Sequence, residues 1–236
     1  MDRKQIIRLA IKYGGEYDKI IKAINEEEKA EDIEVVDNAI TIFDENYPKE
    51  LLELRQPPLV LFYKGNVELL KRDRIGIVGS RTPSEYSCLA THNLAMHTDS
   101  VVVSGLAKGT DKFALEVKGG IAVLGCGIDY IYPIENKGLY SLLEREGLIL
   151  SEYPGLTKPL GFHFPFRNRI ISALSKTLYV MECKQTSSTS ATINEALELG
   201  RQVKVLPFAI DFESEEPFNN KLISEGATPI LKEDLL

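Results

Sequence analysis

Six apolar, β-rich runs follow one another through most of the chain: R-I-G-I-V-G-S, S-V-V-V-S-G-L-A, G-I-A-V-L-G-C-G, G-L-I-L-S-E, T-L-Y-V-M-E-C and R-Q-V-K-V-L-P-F-A. Most gaps between them hold a segment of helical period, such as S-E-Y-S-C-L-A-T-H-N-L-A-M-H, G-T-D-K-F-A-L-E-V-K-G and A-T-I-N-E-A-L-E-L-G-R-Q. A strand with one face in water alternates apolar and polar residues, whereas a nearly continuous apolar run needs cover on both faces. Runs of this kind alternating with helices predict an open, doubly wound, mostly parallel Rossmann-like α/β sheet. Ahead of them, K-Q-I-I-R-L-A-I-K-Y-G and E-Y-D-K-I-I-K-A-I-N-E-E-E-K-A-E-D read as short helices broken at Gly14-Gly15, and N-Y-P-K-E-L-L-E-L with Q-P-P-L-V-L-F-Y-K-G as a helix and a first strand. The expected division is an N-terminal helical segment over 1–44 and a core domain over 45–236.

Charge decides which ligands such a sheet can take. The net charge is −7, but residues 1–50 alone hold 8 Lys/Arg against 13 Asp/Glu. The remainder is close to neutral and contains two basic stretches, K-G-N-V-E-L-L-K-R-D-R-I-G-I-V-G-S-R and K-P-L-G-F-H-F-P-F-R-N-R-I-I-S-A-L-S-K. Local charge, not the total, sets where phosphates bind, so a polyanionic partner is permitted. No apolar run of about 18 residues marks a membrane span. The N-terminus lacks the apolar core of a secretory signal. Cys88, Cys126 and Cys183 are scattered, and His92, His97 and His163 do not cluster with them. A cytoplasmic protein with reduced thiols, no metal site and no membrane association is expected.

Ligands of doubly wound sheets bind outside the carboxyl ends of the strands. Three exits there are rich in small residues. I-V-G-S-R-T-P-S-E-Y leaves its strand through Gly79 and Ser80, exposes Arg81 and suggests a helix start near Thr82-Pro83. V-V-S-G-L-A-K-G-T-D-K-F-A leaves through Ser104 and Gly105 and then offers Lys108, Gly109 and Thr110; the third exit carries Gly125 and Gly127. Such turns let backbone and helix N-termini approach phosphate, although any α/β protein also needs glycine to change direction. No G-x-G-x-x-G opens the first unit and no P-loop lysine motif is present. Ser80, Ser104 and Ser187 lack a nucleophile-elbow context. Asp111, Asp129, Glu152 and Glu182 near strand ends read as helix caps or partners of arginines rather than acid–base groups. No cofactor and no enzymatic activity are expected.

The series G-S-R, S-G-L-A-K-G-T-D-K-F-A, G-C-G-I-D-Y-I-Y-P-I-E-N-K-G-L, I-L-S-E-Y-P, F-P-F-R-N-R-I-I-S-A-L-S, E-A-L-E-L-G-R-Q-V-K-V-L-P and N-K-L-I-S-E-G-A resembles the DNA-processing protein A (DprA/Smf) family from about Tyr47 to Ile230. The resemblance implies a homodimer that binds single-stranded DNA and hands it to a RecA-type recombinase in recombination and natural transformation. It carries Arg81 and the cluster Arg167, Asn168, Arg169 over as DNA contacts, with Lys108 and Lys137 as further basic positions. Many relatives continue into a C-terminal winged-helix domain, which is not expected here. Leu115 stands where the family commonly has histidine, and S-S-T-S-A-T-I and L-P-F replace glycine-bearing turns.

The residues themselves read the same way. Single strands are held by a basic groove and by aromatic faces on which bases stack. Phe162, Phe164 and Phe166 interleave with Arg167 and Arg169, and Asn168 can both donate and accept. At least one phenylalanine is expected in the core, Phe166 or Phe162 first, with Ile170, Ile171 and Leu174 anchoring the stretch. The contact set is thus Gly79, Ser80, Arg81, Ser104, Gly105, Lys108, Lys137, Phe164, Arg167, Asn168 and Arg169. The competing class is a nucleotide phosphoribohydrolase-like enzyme resembling lysine decarboxylases, in which Glu195 would be the catalytic acid and Thr192 a phosphate contact. Its loop lacks here the glycines that wrap a phosphate.

Overall fold

The computed structural model describes residues 1–117, 119–209 and 218–236. Lys118, in the tail of the G-T-D-K-F-A-L-E-V-K-G segment, lies outside them. Among the described residues the strands are β1 Ala39–Thr41, β2 Val60–Gly65, β3 Arg74–Val78, β4 Val101–Ser104, β5 Ile121–Val123, β6 Leu148–Ser151, β7 Thr177–Val180, β8 Gln202–Val205 and β9 Thr228–Pro229. The helices are α1 Arg3–Lys12, α2 Tyr17–Asn25, α3 Glu85–His97, α4 Thr110–Leu115, α5 Lys137–Glu146, α6 His163–Leu174, α7 Ser188–Glu198 and α8 Asn219–Ser224.

All nine strands form one sheet in the order β1-β2-β6-β5-β4-β3-β7-β8-β9. From β6 across to β9 every pairing is parallel, and only β1–β2 and β2–β6 are antiparallel. The chain winds outward from β3 to β6, then returns to the other side of β3 at β7. The doubly wound, mostly parallel sheet predicted from the six runs is the one observed, and its direction reverses between β3 and β7. That reversal is the topological switch point, where ligands of such sheets bind.

Alternate residues of each strand serve opposite faces, so two cores form. Ile75, Ile77, Val102, Ala122 and Ile149 pack with Leu94 of α3, Leu115 of α4, Leu143 of α5 and Ile6, Ile7 and Leu9 of α1. Val78, Val101, Val103, Ile121, Val123, Leu178 and Val180 pack with Ile170, Ile171 and Leu174 of α6 and Ile193 of α7. The anchoring read for the α6 stripe is therefore observed. Within the first 44 residues, β1 is an edge strand of the sheet, and Arg3 of α1 donates to the Ala39 carbonyl (2.8 Å) and pairs with Asp44 (3.0 Å). No apolar run in the sequence marks β1, because it is three residues long and its neighbours supply its register.

Candidate nucleic-acid interface

Loops after β3, β4 and β5 and the first turns of α6 and α7 meet at the switch point. After β3, the carbonyl of Ser80 accepts from the Thr110 N–H (3.0 Å) and its Oγ accepts from the Thr82 N–H (3.1 Å). The helix that follows starts later than Thr82-Pro83 suggests. Ser84 is the N-cap of α3, its Oγ accepting from the Ser87 N–H (3.3 Å), and it is fixed by donating N–H and O–H to Glu182 (2.9 and 2.7 Å). A carboxylate from the end of β7 thus decides where α3 begins. Arg81 is left exposed, without an ion pair among the described residues, its guanidinium 6.0 Å from the Phe164 ring.

After β4, Ser104 is wholly buried and its hydroxyl donates to the Ile77 carbonyl (2.7 Å), so it is structural. Gly105 is glycine for an internal reason: a Cβ there would lie 2.6 Å from a terminal nitrogen of Arg167 and 2.7 Å from the Asp111 carboxylate. Leu106 then takes a left-handed φ of 56°, a sparsely populated conformation for a branched side chain. Asn136 holds that turn, its Nδ2 donating to the carbonyls of Leu106 (3.0 Å) and Ala107 (3.2 Å). Lys108 is exposed, and its ammonium lies 2.5 Å from the Glu135 carboxylate. That hydrogen bond holds the Glu135 carboxyl below the ordinary glutamate range. Lys137 stands exposed on the first residue of α5, outside the pocket that Arg81 and Lys108 line.

The R-N-R cluster lies inside α6 and points into the protein. Arg167 is only 4% exposed. Its Nη1 donates to the carbonyls of Gly105 (2.7 Å) and Val123, and its Nε donates to Asn168 Oδ1 (3.0 Å). It therefore ties the ends of β4 and β5 to α6. Asp111 is its buried counter-charge: burial pushes this carboxyl up, and the Arg167 charge opposes that shift. Burial lowers the Arg167 guanidinium in turn, and Asp111 resists. Asn168 is buried too, reaching the Ser188 carbonyl at the start of α7 (3.4 Å). Arg169 makes a two-pronged pair with Glu152 (2.6 and 2.7 Å), donates to the carbonyls of Gln56 (3.0 Å) and Phe166 (2.8 Å), and lies 3.7 Å over the Phe166 ring. Of the three arginines read together from sequence, only Arg81 presents its guanidinium to solvent.

None of the three phenylalanines is core, contrary to the expectation for Phe166 or Phe162. Phe162 precedes α6 and is 62% exposed; Phe164 and Phe166 are half-buried. Phe166 is covered by Arg169, its neighbour three residues on along α6. Phe164 presses on Gly125, where a Cβ would meet its ring at 2.7 Å, and it lies between Arg81 and Tyr132. A small pocket of about 80 Å³ on one side of it is lined by Arg81, Lys108, Gly125, Tyr132 and Arg167. A second, of about 40 Å³, is lined by Gly79, Arg81, Asp111, Asn168, Ser188 and Thr189. Tyr132 lines the first of these pockets and lies within the quoted Y-I-Y-P-I-E-N motif, where its residue type alone gives no signal.

Two of the strand-end carboxylates are partners of arginines, as read: Glu152 with Arg169 and Asp111 beside Arg167. Glu182 instead holds the N-cap residue Ser84, and Asp129 pairs with Lys64 (2.9 Å). Thr192 lines the smaller strand-end pocket, whereas Glu195 lines a separate cleft of about 650 Å³ with Tyr17, Arg55 and Phe162. Burial pushes the Cys126 thiol up to about 11 and Cys183 to about 12. Among the described residues, no group of three His, Cys, Asp or Glu could hold a metal, and no helix is long and apolar enough to cross a membrane.

The chain is similar in sequence and fold to known proteins. The DNA processing protein DprA of Streptococcus pneumoniae is 40% identical over 196 residues, covering 80% of this chain and 69% of that protein. Protein Smf of Synechocystis is 40% identical over 209 residues, covering 84% of this chain and 52% of its own length. Among solved structures, that of Streptococcus pneumoniae DprA aligns with a TM-score of 0.77 at 38% identity, over 83% of this chain and 72% of the other. DNA processing protein A of Helicobacter pylori, whose structure describes a single-stranded DNA binding mode, aligns at 0.76 and 30% identity, over 82% and 91%. The family model for DNA recombination-mediator protein A matches residues 38–236, and the chain belongs to that family.

Proposed function

We infer that this protein binds single-stranded DNA along the carboxyl edge of the sheet and acts in DNA processing, delivering the strand to a RecA-type recombinase as a cytoplasmic homodimer. One observation carries the reading: two exposed cations, Arg81 and Lys108, line one pocket with the half-buried Phe164 ring. Charge for the backbone beside a face for a base is the combination single-strand binding uses. The pocket lies at the carboxyl end of the strands, close to the switch point. The Helicobacter pylori relative described by its single-stranded DNA binding mode supports the choice of ligand. In this reading the backbone of Gly79 and Ser80 approaches the strand, and Lys137 extends the basic rim. Arg167, Asn168, Arg169, Ser104 and Gly105 shape the edge from beneath. The core beyond residue 44 carries the binding edge, and the 1–44 segment packs on it.

Fluorescence anisotropy with a labelled single strand and its duplex at matched salt tests this. A clear preference for the single strand is expected. Equal affinity for both forms would leave only charge and overturn the stacking part of the reading.

A further inference from the structure

Tyr132 is an exposed ring on a fixed backbone. Its N–H donates to the Tyr140 hydroxyl (3.1 Å), which donates in turn to the Tyr132 carbonyl (3.0 Å). Tyr140 is buried, so the turn beneath Tyr132 is anchored while the ring stays 46% exposed. The same loop is clamped to the β4 exit through Asn136. Beyond the anchor the ring meets Phe164, with centroids 5.6 Å apart at 41°. Phe164 in turn lies 6.0 Å from the Arg81 guanidinium. Arg81, Phe164 and Tyr132 thus form a row of one cation and two aromatic faces. Ile134, also exposed, extends the apolar surface, and Lys108 flanks it.

An exposed aromatic ring needs no explanation when it stands alone. Here it adjoins a second ring, lines one pocket with Arg81 and Lys108, and has its backbone held by two hydrogen bonds with the Tyr140 hydroxyl. Little backbone freedom remains to be lost when a planar partner settles on the ring. We propose that Tyr132 is a second base-stacking residue, taking the base next to the one on Phe164, so that the edge reads as a two-base platform flanked by phosphate contacts. This rests on the single-strand reading above. The ring contributes through its face, so its removal costs affinity without changing the number of phosphates neutralised.

The test uses the whole chain with an oligo-dT strand and a matched strand carrying abasic positions. Tyr132→Ala should weaken oligo-dT binding roughly 5- to 150-fold, the range for one lost stacked base, and leave the slope of log affinity against log salt unchanged. Tyr132→Phe should bind as the parent does. Tyr132→Leu, which keeps apolar bulk without a π face, should lose affinity as alanine does. On the abasic strand the parent and Tyr132→Ala should bind alike. Parental binding of oligo-dT by Tyr132→Ala, rescue by leucine, or an equal loss on the abasic strand would each overturn the proposal. Failure of the unaltered protein to bind oligo-dT would instead overturn the functional reading beneath it.

Discussion

Arg169 lays its two terminal nitrogens on the carboxylate of Glu152, at 2.6 and 2.7 Å, with both residues less than a tenth exposed. This pair joins the first turns of α6 to the end of β6. It also removes from solvent an arginine whose sequence context points to phosphate. Breaking a buried pair leaves one charge uncompensated and costs about 3–5 kcal/mol. Arg169→Ala should lose stability of that order in urea denaturation. The double change Arg169→Met with Glu152→Gln should recover part of it, because no buried charge remains. An Arg169→Ala protein of parental stability whose DNA affinity has lost salt dependence would return this arginine to the phosphate role.

Arg167 leads to a different signature, through Asp111. With the guanidinium gone, only burial and neighbouring hydrogen bonds act on the Asp111 carboxyl, and burial already pushes it upward. A folded-state pKa above the unfolded value, about 3.9 for aspartate, means the native state holds a proton that the unfolded state has released. Stability is then present at acid pH and lost as pH rises. The stability deficit of Arg167→Ala should therefore be larger at pH 7 than at about pH 4. Arg167→Lys should not restore it, because lysine cannot reach Gly105, Val123 and Asn168 as a planar fork does. A pH-independent deficit would separate the two residues.

His163, the first residue of α6, stacks on Tyr153 with centroids 3.9 Å apart and is buried. Burial lowers its pKa, and a backbone contact at Gly125 opposes the shift. The unfolded chain therefore takes up this proton at a higher pH than the native state does. Stability held above about pH 6.5 should fall as the solution is acidified below it. His163→Phe should flatten that part of the curve in thermal melts collected across pH 5–8. An unchanged curve would assign the acid sensitivity to other groups.

What the sequence makes legible follows from physics that acts locally. Ile75 and Ile77 face one core while Val78 faces the other. A strand covered on both sides must be apolar throughout, and that pattern needs no knowledge of the partner. Arg167 and Arg169 are the opposite case. Charged residues are seldom buried, so the default reading exposes them, and most of the groups that satisfy them are distant in the chain: Gly105, Val123, Gln56 and Glu152. Gly105 and Gly125 read as room for a phosphate, whereas that room holds Arg167 with Asp111 and Phe164 respectively. Phe162, with Phe166 the residue the sequence puts first for the core, precedes α6 and is left exposed among the described residues.

The pair of Lys108 with Glu135 sets up a competition. Both side chains are more than half exposed, and their contact is 2.5 Å. A phosphate approaching Lys108 must displace a carboxylate already there, and exposed pairs of this kind are weak enough to yield. Glu135→Gln should therefore tighten single-strand binding, with no loss of thermal stability. Weaker binding by the variant would show that Glu135 orients Lys108 instead of competing for it.

Arg81 is the arginine left to meet a phosphate. It follows a strand whose exit is fixed by the Ser80 hydrogen bonds, it has no carboxylate partner among the described residues, and it stands beside Phe164. Each phosphate it neutralises should release counterions, so log affinity for single strands falls with log salt by about 0.7 per contact. Arg81→Ala should flatten that slope by about 0.7 while thermal stability stays near the parental value, since among the described residues the guanidinium makes no ion pair and only a distant contact with the Phe164 ring. Arg81→Lys is the sharper comparison. Lysine keeps the charge and loses the planar fork, so most of the slope should survive while affinity drops. Arg167→Ala supplies the contrast, because its folded fraction should keep the parental slope. If Arg81→Ala left the slope intact and Arg167→Ala flattened it, the strand would have to reach beneath Phe164 to a buried guanidinium. The surface row of Arg81, Phe164 and Tyr132 would then not be the binding edge.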